Sequence, residues 1–449
     1  MPQSAMPARA FAFDGPVPLV ARFDAGRATS DGGLPWVAEA DRQLGVCAAL
    51  AACVPEWRGP RVRHRRADLV RQRVLQIACG YPDQNDADAL RADPLLKHAC
   101  GRLPESGPDL ASQPTLSRLE NAVDRHAVER LAGALVDLYV RARGRGGAPG
   151  RVVLDVDGTD DPAHGQQEGV GYHGYDRQYM YFPLLVFDGE TDHLIAAVLR
   201  PGRVGGARFV VLVVRRLVAR LRAAWPGVAI EVRADCGCAS PRLYEWCERN
   251  GVAYTLGLAT NPVLARAAAP QLAEAQQRSA AQNGAKVRLV GETAYQAESW
   301  SRARRVVFKT EVLAKGPNTR FVLTTRADDA PAAVYDRYIA RGEPENWVKD
   351  VKNALQADRL SDHRFWANAF RLLLHAAAYW LLDTVRRWLR RRGAARLQLD
   401  TLRLRLVKVG GVVHEFADRV RVHLASHHPG EPLWHLLDSR PNPLVNNPG

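Results

Sequence analysis

The segment Tyr338–Lys352 reads YIARGEPENWVKDVK and is the most informative stretch of the chain. If it forms a helix, Lys349 lies at about 40° and Lys352 at about 340° from Glu345 around the axis. Four apolar residues gather on one flank between about 200° and 300°; they are Trp347, Val348, Val351 and Leu355. The segment therefore predicts an amphipathic helix with a carboxylate and two lysines beside a buried stripe. An ordinary solvated helix face gives the same pattern.

Pro344 fits the first position of this helix, where its missing N–H is not needed. This placement puts Glu345 in the first helical turn. Because a residue that precedes proline avoids helical geometry, we expect Tyr338 and Arg341 to lie on a turn before the helix.

The spacing of four residues in this segment carries a family resemblance. Tyr338, Arg341, Glu345 and Lys352 are separated by two, three and six residues. This matches the Tyr-Arg-Glu-Lys signature of insertion-sequence transposases with an Asp-Asp-Glu (DDE) metal triad. The wider sequence resembles the family numbered thirteen-eighty, within the insertion sequence four-like superfamily. The segments that carry the resemblance are Gly101–Asn121, Leu154–Gly165 (LDVDGTDDPAHG), Ala197–Gly202 (AVLRPG), Arg233–Gly237 (RADCG) and Glu345–Tyr379.

Composition narrows the class of protein. A net charge of +14 favours a polyanionic partner, although an arginine-rich coding bias gives the same excess. The most apolar run, Leu372–Leu382, falls well short of the roughly 20 residues that cross a bilayer, and no signal-type segment is evident. Seven cysteines without framework spacing fit a reducing cytosol. Cys236 and Cys238 lack the second pair that a zinc site needs.

The order of predicted elements indicates an α/β fold. Helical patterns dominate up to Arg143, and three closely linked strands then precede alternating helices and strands. The pattern alone supports no more than α/β. The resemblance implies a ribonuclease H-like mixed sheet with flanking helices, interrupted by a β-rich insertion, plus an α-helical N-terminal region. The expected divisions are 1–145 (DNA-binding), 146–262 (first catalytic part), 263–328 (insertion), 329–392 (second catalytic part) and 393–449 (C-terminal region).

Several element boundaries can be compared directly with a structure. We expect helices over Leu34–Cys53, Arg65–Cys79 and Thr115–Arg143. A single strand is expected over Tyr179–Phe187, and another over Leu397–Lys408, where apolar and polar residues alternate.

Three acids follow elements that could bring them together. Asp157 and Asp235 each end a predicted strand, and Glu345 lies on the helix described above. Carboxylate oxygens are the ligands that Mg²⁺ prefers, and a two-metal site needs about three of them. Asp155 lies on the same strand face as Asp157, and residue chemistry alone does not choose between them. Asp235 would serve equally well as a turn or helix-capping residue.

The resemblance assigns roles to these positions. It implies that Asp157, in the context Asp-Gly-Thr, is the first metal ligand, with Asp235 and Glu345 as the other catalytic ligands. It implies two Mg²⁺ ions, for which Mn²⁺ substitutes, and DNA contacts from Tyr338, Arg341 and Lys352. Trp300, in the insertion, is either a core residue or a stacking partner for a flipped base. A basic cluster between Arg61 and Arg66 is either a solvated face or a grip on DNA phosphates.

The expected function is therefore that of an insertion-sequence DNA transposase. The resemblance implies an endonuclease that cuts at the terminal inverted repeats and joins the ends to target DNA in a cut-and-paste reaction. Its partners would be double-stranded DNA and a second copy in a synaptic homodimer, with no membrane and no small-molecule substrate. The expected location is the bacterial cytoplasm, at the nucleoid. Two alternatives remain: a ribonuclease H-like nuclease without strand transfer, and a catalytically silent DNA-binding descendant of a transposase.

Overall fold

The computed structural model describes residues 9–11, 17, 19–59, 61–174, 176–202, 204, 206–313 and 316–438. The chain divides into two compact units. One comprises Met1–Ala122 with Ala377–Gly449, and the other comprises Val123–Ala376. Among the described helices, none combines the length and apolar composition that crossing a bilayer requires.

The first unit is mainly helical. A short antiparallel pair joins Arg9–Phe11 to Leu19–Ala21, and a three-stranded sheet joins Ala28–Thr29, Gly411–Glu415 and Val420–Leu424. The second half of the helix Phe365–Arg390 also belongs to this unit. The remaining helices are Leu34–Leu44, Val46–Cys53, Arg66–Ala78, Ala87–Leu90, Pro94–Ala99, Gln113–Asn121, Leu399–Leu402 and Glu431–Asp438.

Two of the expected helices are divided, each by a residue suited to a helix end. Gly45, at a φ of 67°, separates Leu34–Leu44 from Val46–Cys53, and glycine adopts this left-handed conformation at little cost. Asp124 begins the helix Arg125–Arg143 by accepting a hydrogen bond from the Ala127 N–H.

The prediction of a strand over Leu397–Lys408 is wrong. This segment forms the helix Leu399–Leu402, which continues as a π-helical turn over Arg403–Val407. The alternating leucines 402, 404 and 406 suggested a strand, but Leu404 is 65% exposed. The buried residues Leu399, Leu402 and Leu406 follow the spacing of a helix face instead.

The second unit is built on a mixed sheet of eight strands. In chain order the strands are Arg151–Gly158 (β1), Leu184–Asp188 (β2), Leu194–Val198 (β3), Ala229–Ala234 (β4), Ala253–Leu258 (β5), Val287–Tyr295 (β6), Arg304–Leu313 (β7) and Gly316–Thr324 (β8). Their order in the sheet is β6-β7-β8-β5-β4-β1-β2-β3. Strands β1, β4 and β5 run parallel to one another, and the other neighbouring pairs are antiparallel.

Helices accompany this sheet, and its central strands are buried. All five residues of β2 and the inner five of β1 are buried, the pattern of strands covered on both faces. A 3₁₀ turn spans Gly144–Gly146 and a π-helical turn spans Asp350–Ala354. The helices are Arg125–Arg143, Gly206–Ala224, Pro241–Arg249, Pro262–Ala281, Pro331–Ile339, Gly342–Lys349 and the first part of Phe365–Arg390.

The segment predicted as a β-rich insertion contains a helix and three strands. The strands β6, β7 and β8 form an antiparallel meander, and β8 pairs with β5 through Thr324 opposite Thr255. The meander therefore extends the edge of the central sheet beyond β5.

The predicted single strand over Tyr179–Phe187 is interrupted. Gln178–Tyr181 pairs with Asp161–Pro162 and Gly171–His173 in a small separate sheet, and β2 begins only at Leu184. Between them lies Pro183, which has no N–H for a sheet ladder. Its carbonyl accepts a hydrogen bond from the backbone N–H of Thr159. This bond joins the residue after the end of β1 to the residue before the start of β2, where the small sheet begins.

A fully buried ion pair lies inside the first unit. Arg73 Nε is 3.0 Å from Glu120 Oε1, and both side chains are 0% exposed. Arg73 also donates to the Pro82 carbonyl at 2.8 Å. Removing one partner of such a pair leaves an uncompensated charge inside the protein.

We expect Glu120→Leu to lower the free energy of unfolding by about 3–5 kcal/mol, because Arg73 then stays buried without its partner. The double variant Arg73→Met/Glu120→Leu should recover part of this loss in urea denaturation. Glu274→Gln, in a half-exposed helical pair with Arg278, is the control and should change stability little. A single Glu120→Leu variant as stable as the wild type would contradict the buried pair.

Asp161 is a buried acid of the second unit. It is 1% exposed, and neither carboxylate oxygen has a hydrogen-bond partner among the residues that the structure describes. It lines a small cavity with Leu185, Val351 and Leu372. Burial, followed by the nearby charge of Asp358, raises the pKa of Asp161 to about 9. The carboxyl is therefore neutral in the folded protein at pH 7.

We expect Asp161→Asn to stabilise the protein at pH 7 by on the order of a few kcal/mol. In the unfolded chain Asp161 ionises near pH 3.8, whereas in the folded chain it keeps its proton to about pH 9. Its contribution to stability is thus complete below pH 4 and declines as the pH rises between these values. The advantage of the variant, measured by thermal unfolding, should vanish near pH 4. An exposed control, Asp328→Asn, should show no such pH dependence; an Asp161→Asn effect independent of pH would mean that Asp161 is ionised.

Candidate functional site

The site is built on a buried ion pair between two parallel strands. Arg233 on β4 lies opposite Asp155 on β1 and donates two hydrogen bonds to its carboxylate, with Nη2 at 2.5 Å from Oδ2. Both side chains are at most 5% exposed. A Cβ at Gly189 would collide with the pair, so the close approach of that loop requires glycine. Both oxygens of Asp155 are therefore engaged inside the protein.

The same register brings Asp157 and Asp235 to the same end of two neighbouring strands. Arg233 pairs with Asp155 and Ala234 with Val156, so the next residues, Asp235 and Asp157, are level on neighbouring strands. Side chains alternate along a strand, so Asp157 points to the same face as Asp155. Burial raises the pKa of Asp157 to about 6 against the opposing effect of Arg341, and the carboxylates of Asp235 and Glu345 contribute to this rise.

Asp235 also stabilises the turn that follows β4. Its Oδ1 accepts hydrogen bonds from the backbone N–H of Gly237 at 3.0 Å and of Cys238 at 3.3 Å. Asp235 therefore does act as a turn residue, through its Oδ1 atom. Because the turn fixes the carboxylate, Asp235 is held at the strand end.

Glu345 lies on the helix Gly342–Lys349, which packs on the sheet through Trp347. The indole is 1% exposed, and its ring centroid lies 5.3 Å from that of Phe187 on β2. Because Phe187 pairs with Asp155 across the strands, the helix covers the same sheet face as the acids. Val351 and Leu355 are also buried and Val348 is half-buried, so three of the four residues of the predicted apolar stripe are buried. Glu345 itself is 55% exposed.

The start of this helix differs from the sequence prediction. Pro344 is its third residue rather than its first. Tyr338 lies in the preceding helix Pro331–Ile339 and not on a turn, whereas Arg341 is the residue before the new helix. Proline is tolerated here because the N–H groups of the first helical turn have no intrahelical partners.

Arg341 contacts two of the three acids. Its Nη1 is 3.6 Å from Asp157 Oδ2, and its Nη2 is 3.4 Å from Glu345 Oε1. The guanidinium is 16% exposed. Burial opposes its charge, but the neighbouring carboxylates, with Asp157 first, raise the pKa of Arg341 overall. The side chain thus joins the strand acid to the helix acid.

Tyr338 lies beside Arg341 and the turn after β4. The Arg341 guanidinium is 5.9 Å from the centre of the Tyr338 ring. A Cβ at Gly257 on β5 would be 2.6 Å from the Tyr338 hydroxyl and 2.9 Å from the Cys236 backbone nitrogen. Because Gly257 has no side chain, the Tyr338 hydroxyl can lie close to the turn that follows Asp235.

Lys352 contacts a different acid, Asp160. It lies in the π-helical turn after the Glu345 helix, and its Nζ donates to Asp160 Oδ1 at 2.5 Å. Asp160 follows β1 and is 40% exposed. The predicted shared face of Glu345 and Lys352 assumed regular helical spacing, which the wider π-helical turn does not keep.

The carboxylates of this site suit a divalent metal ion, although their oxygens do not converge on one position. In the described part of the chain, no three His, Cys, Asp or Glu side chains are arranged to hold a metal ion. Two observations nevertheless fit a cation. The Arg341 guanidinium is a positive charge that contacts both Asp157 and Glu345, and the carboxylates of Asp235 and Glu345 raise the pKa of Asp157. The oxygens of Asp157, Asp235 and Glu345 are those that Mg²⁺ prefers.

Burial decides between the two alternatives for Trp300. Trp300 is 6% exposed and packs edge-on against Tyr244 and Tyr295, so it is a core residue. In the first unit, Arg61, Arg63 and Arg65 are exposed, and Arg63 lines a cavity of about 380 Å³ with Arg58 and Arg91.

Sequence reasoning missed the role of Arg233. Its alternation with Asp235 was visible, because residues two apart on a strand share a face. Its pairing with Asp155 depends on the register of two strands far apart in the chain, which the sequence does not show.

Comparison with known proteins adds one assignment. No curated protein sequence matches the chain. Among solved structures, the chain is similar to a piggyBac transposase in its synaptic complex with hairpin DNA, at 10% identity and a TM-score of 0.44, over 85% of this chain and 80% of that chain. At this score the similarity supports no argument. The family model for transposase DDE domain group 1 matches residues 12–444, nearly the whole sequence. The chain therefore belongs to the transposase DDE domain family, group 1.

Proposed function

We propose that this family member is the DNA transposase of an insertion sequence. It would cut the phosphodiester bond at the element ends by two-metal hydrolysis and then transfer the ends into target DNA, in a cut-and-paste reaction in the bacterial cytoplasm. The observation that carries this proposal is the link from Asp157 through Arg341 to Glu345, with Asp235 level with Asp157. Acids from three distant parts of the chain thus act on one another electrostatically.

The fold supports the same proposal. Strands β1, β2 and β3 form an antiparallel series, and β4 and β5 follow on the other side of β1, both parallel to it. This strand arrangement supports our proposal that the sheet belongs to a ribonuclease H-like domain. We assign residues 146–262 and 329–392 to that catalytic domain, 263–328 to an insertion, 1–145 to DNA binding and 393–449 to a C-terminal region.

The donor set determines what each residue would do. Asp157, Asp235 and Glu345 would hold two Mg²⁺ ions, or Mn²⁺ in their place. When bound, such ions supply an activated water and stabilise the charge on the reacting phosphate. The buried Arg233–Asp155 pair and the Trp347 contact keep the strand end and the helix in position.

The remaining site residues would contact DNA. Arg341 presents a planar fork of N–H groups that matches a phosphate, and Lys352 presents a mobile point charge. Tyr338 offers a hydroxyl and an aromatic ring beside Arg341. The proposed substrates are the terminal inverted repeats and target DNA, bound by a synaptic homodimer. The net charge of +14 supports a polyanionic substrate.

We expect Asp157→Asn and Glu345→Gln to abolish DNA cleavage in Mg²⁺ or Mn²⁺ while DNA binding and melting temperature stay near wild type. The contacts of these side chains with Arg341, at 3.6 and 3.4 Å, are longer than those of the buried Arg233–Asp155 pair, so their loss should cost little stability. Asp155→Asn is the matched comparison and should instead lower the melting temperature, because it breaks the buried pair with Arg233. Binding must be compared at one salt concentration. Cleavage at the wild-type rate by Glu345→Gln would refute its assignment.

Strand transfer separates a transposase from a nuclease that only hydrolyses DNA. We expect the protein, given pre-cut element ends with free 3′ hydroxyls and a target plasmid, to form joined products, because the 3′ oxygen can replace water as the nucleophile in the same metal site. Gel analysis of the plasmid would detect them. Hydrolysis without joining would favour the nuclease, and binding without either reaction would favour a silent DNA-binding protein.

A further inference from the structure

We propose that Arg341 couples metal binding to DNA binding by exchanging its partners. Without DNA the guanidinium occupies Asp157 and Glu345. A DNA phosphate then draws it away, and divalent cations take its place on the carboxylates. The inference rests on the proposed function, because it assumes that these acids are the metal ligands.

The contacts of Arg341 compete directly with a metal ion. Its two Nη atoms lie 3.6 Å from Asp157 Oδ2 and 3.4 Å from Glu345 Oε1. A cation bound to those oxygens would meet the guanidinium at close range, and like charges at such distances repel. Arginine cannot relieve the conflict by losing its proton, because its pKa stays above the physiological range. Its side chain must therefore move before a metal can bind both acids.

The present contacts are weak enough to exchange. Charge-assisted hydrogen bonds of arginine to carboxylate are about 2.7–2.9 Å long, and both Arg341 contacts are longer. The Arg233–Asp155 pair provides the comparison within the same site. It is buried and makes two hydrogen bonds, of which the one from Nη2 to Oδ2 is 2.5 Å long. Glu345, at 55% exposed, already lies partly in solvent. Arg341 is thus a loosely held cation beside a fixed one.

A DNA phosphate offers Arg341 a better partner. Phosphate oxygens accept two parallel N–H bonds from a guanidinium, and the negative charge stays next to the site. Each phosphate bound there removes a positive charge from the carboxylates and leaves their oxygens available. By linkage, the factor by which DNA increases metal affinity must equal the factor by which metal increases DNA affinity.

Mn²⁺ binding to the full-length protein tests this coupling without any reaction. Free Mn²⁺ is measured by electron paramagnetic resonance, with and without a short duplex of arbitrary sequence at low salt. We expect the duplex to raise the Mn²⁺ affinity of the wild type by about 5-fold or more, the usual lower end of such coupling. Arg341→Met should bind Mn²⁺ more tightly than wild type without DNA, and DNA should no longer increase its affinity.

Two further variants make the result decisive. Arg266→Met removes an exposed arginine of the helix Pro262–Ala281 and should behave as wild type, which controls for net charge. Arg341→Lys keeps the charge but not the fork, and should give intermediate coupling; it replaces Arg341→Met if that variant does not fold. An unchanged Mn²⁺ affinity in Arg341→Met, with the DNA effect retained, would overturn the inference.

The acid variants separate this failure from failure of the proposed function. If Asp157→Asn and Glu345→Gln abolish Mn²⁺ binding while Arg341→Met changes nothing, the metal site stands and only the coupling role is wrong. If the acid variants leave Mn²⁺ binding unchanged, the carboxylates do not hold the metal, and the proposed function fails together with the inference.

Discussion

The ion pair between Arg233 and Asp155 is the interaction on which the site depends. It crosses two parallel strands in a region with almost no solvent, where a charge without a partner would be costly. A slip of one residue between β1 and β4 would turn every side chain to the opposite face and separate this pair. The pair therefore disfavours other registers, and the register makes Asp157 and Asp235 neighbours at the strand ends.

Around this fixed pair, the site combines rigid and exchangeable parts. Trp347 packs against Phe187 and sets the position of the Glu345 helix, while the Asp235 carboxylate is held by the turn after β4. Arg341 is different, because its contacts are long and its acidic partner on the helix is half exposed. The acids are thus close enough to act on one another, yet not closed around a metal. This arrangement suits a site completed only when its substrate arrives.

Local pattern predicted much of the fold, and its failures have local causes. Trp347, Val351 and Leu355 of the predicted apolar stripe are buried, because residues about one turn apart share a face even where the helix continues as a π-helical turn. The segment Leu397–Lys408 failed because its leucines fit both a strand and a helix, and only packing chose between them. Lys352 lies in a π-helical turn, whose spacing differs from the regular helix that the prediction assumed, and its side chain bonds to Asp160.

The sequence by itself determined the match to the transposase DDE domain family, the α/β order of elements and the acids available for chemistry. These follow from local chemistry along the chain. Tertiary structure decided that Asp155 is engaged with Arg233, that Asp157 meets Arg341, and that the meander β6–β8 extends the central sheet. Strand register and helix docking join residues separated by tens to hundreds of positions, and they are set by burial and charge pairing that no local pattern encodes.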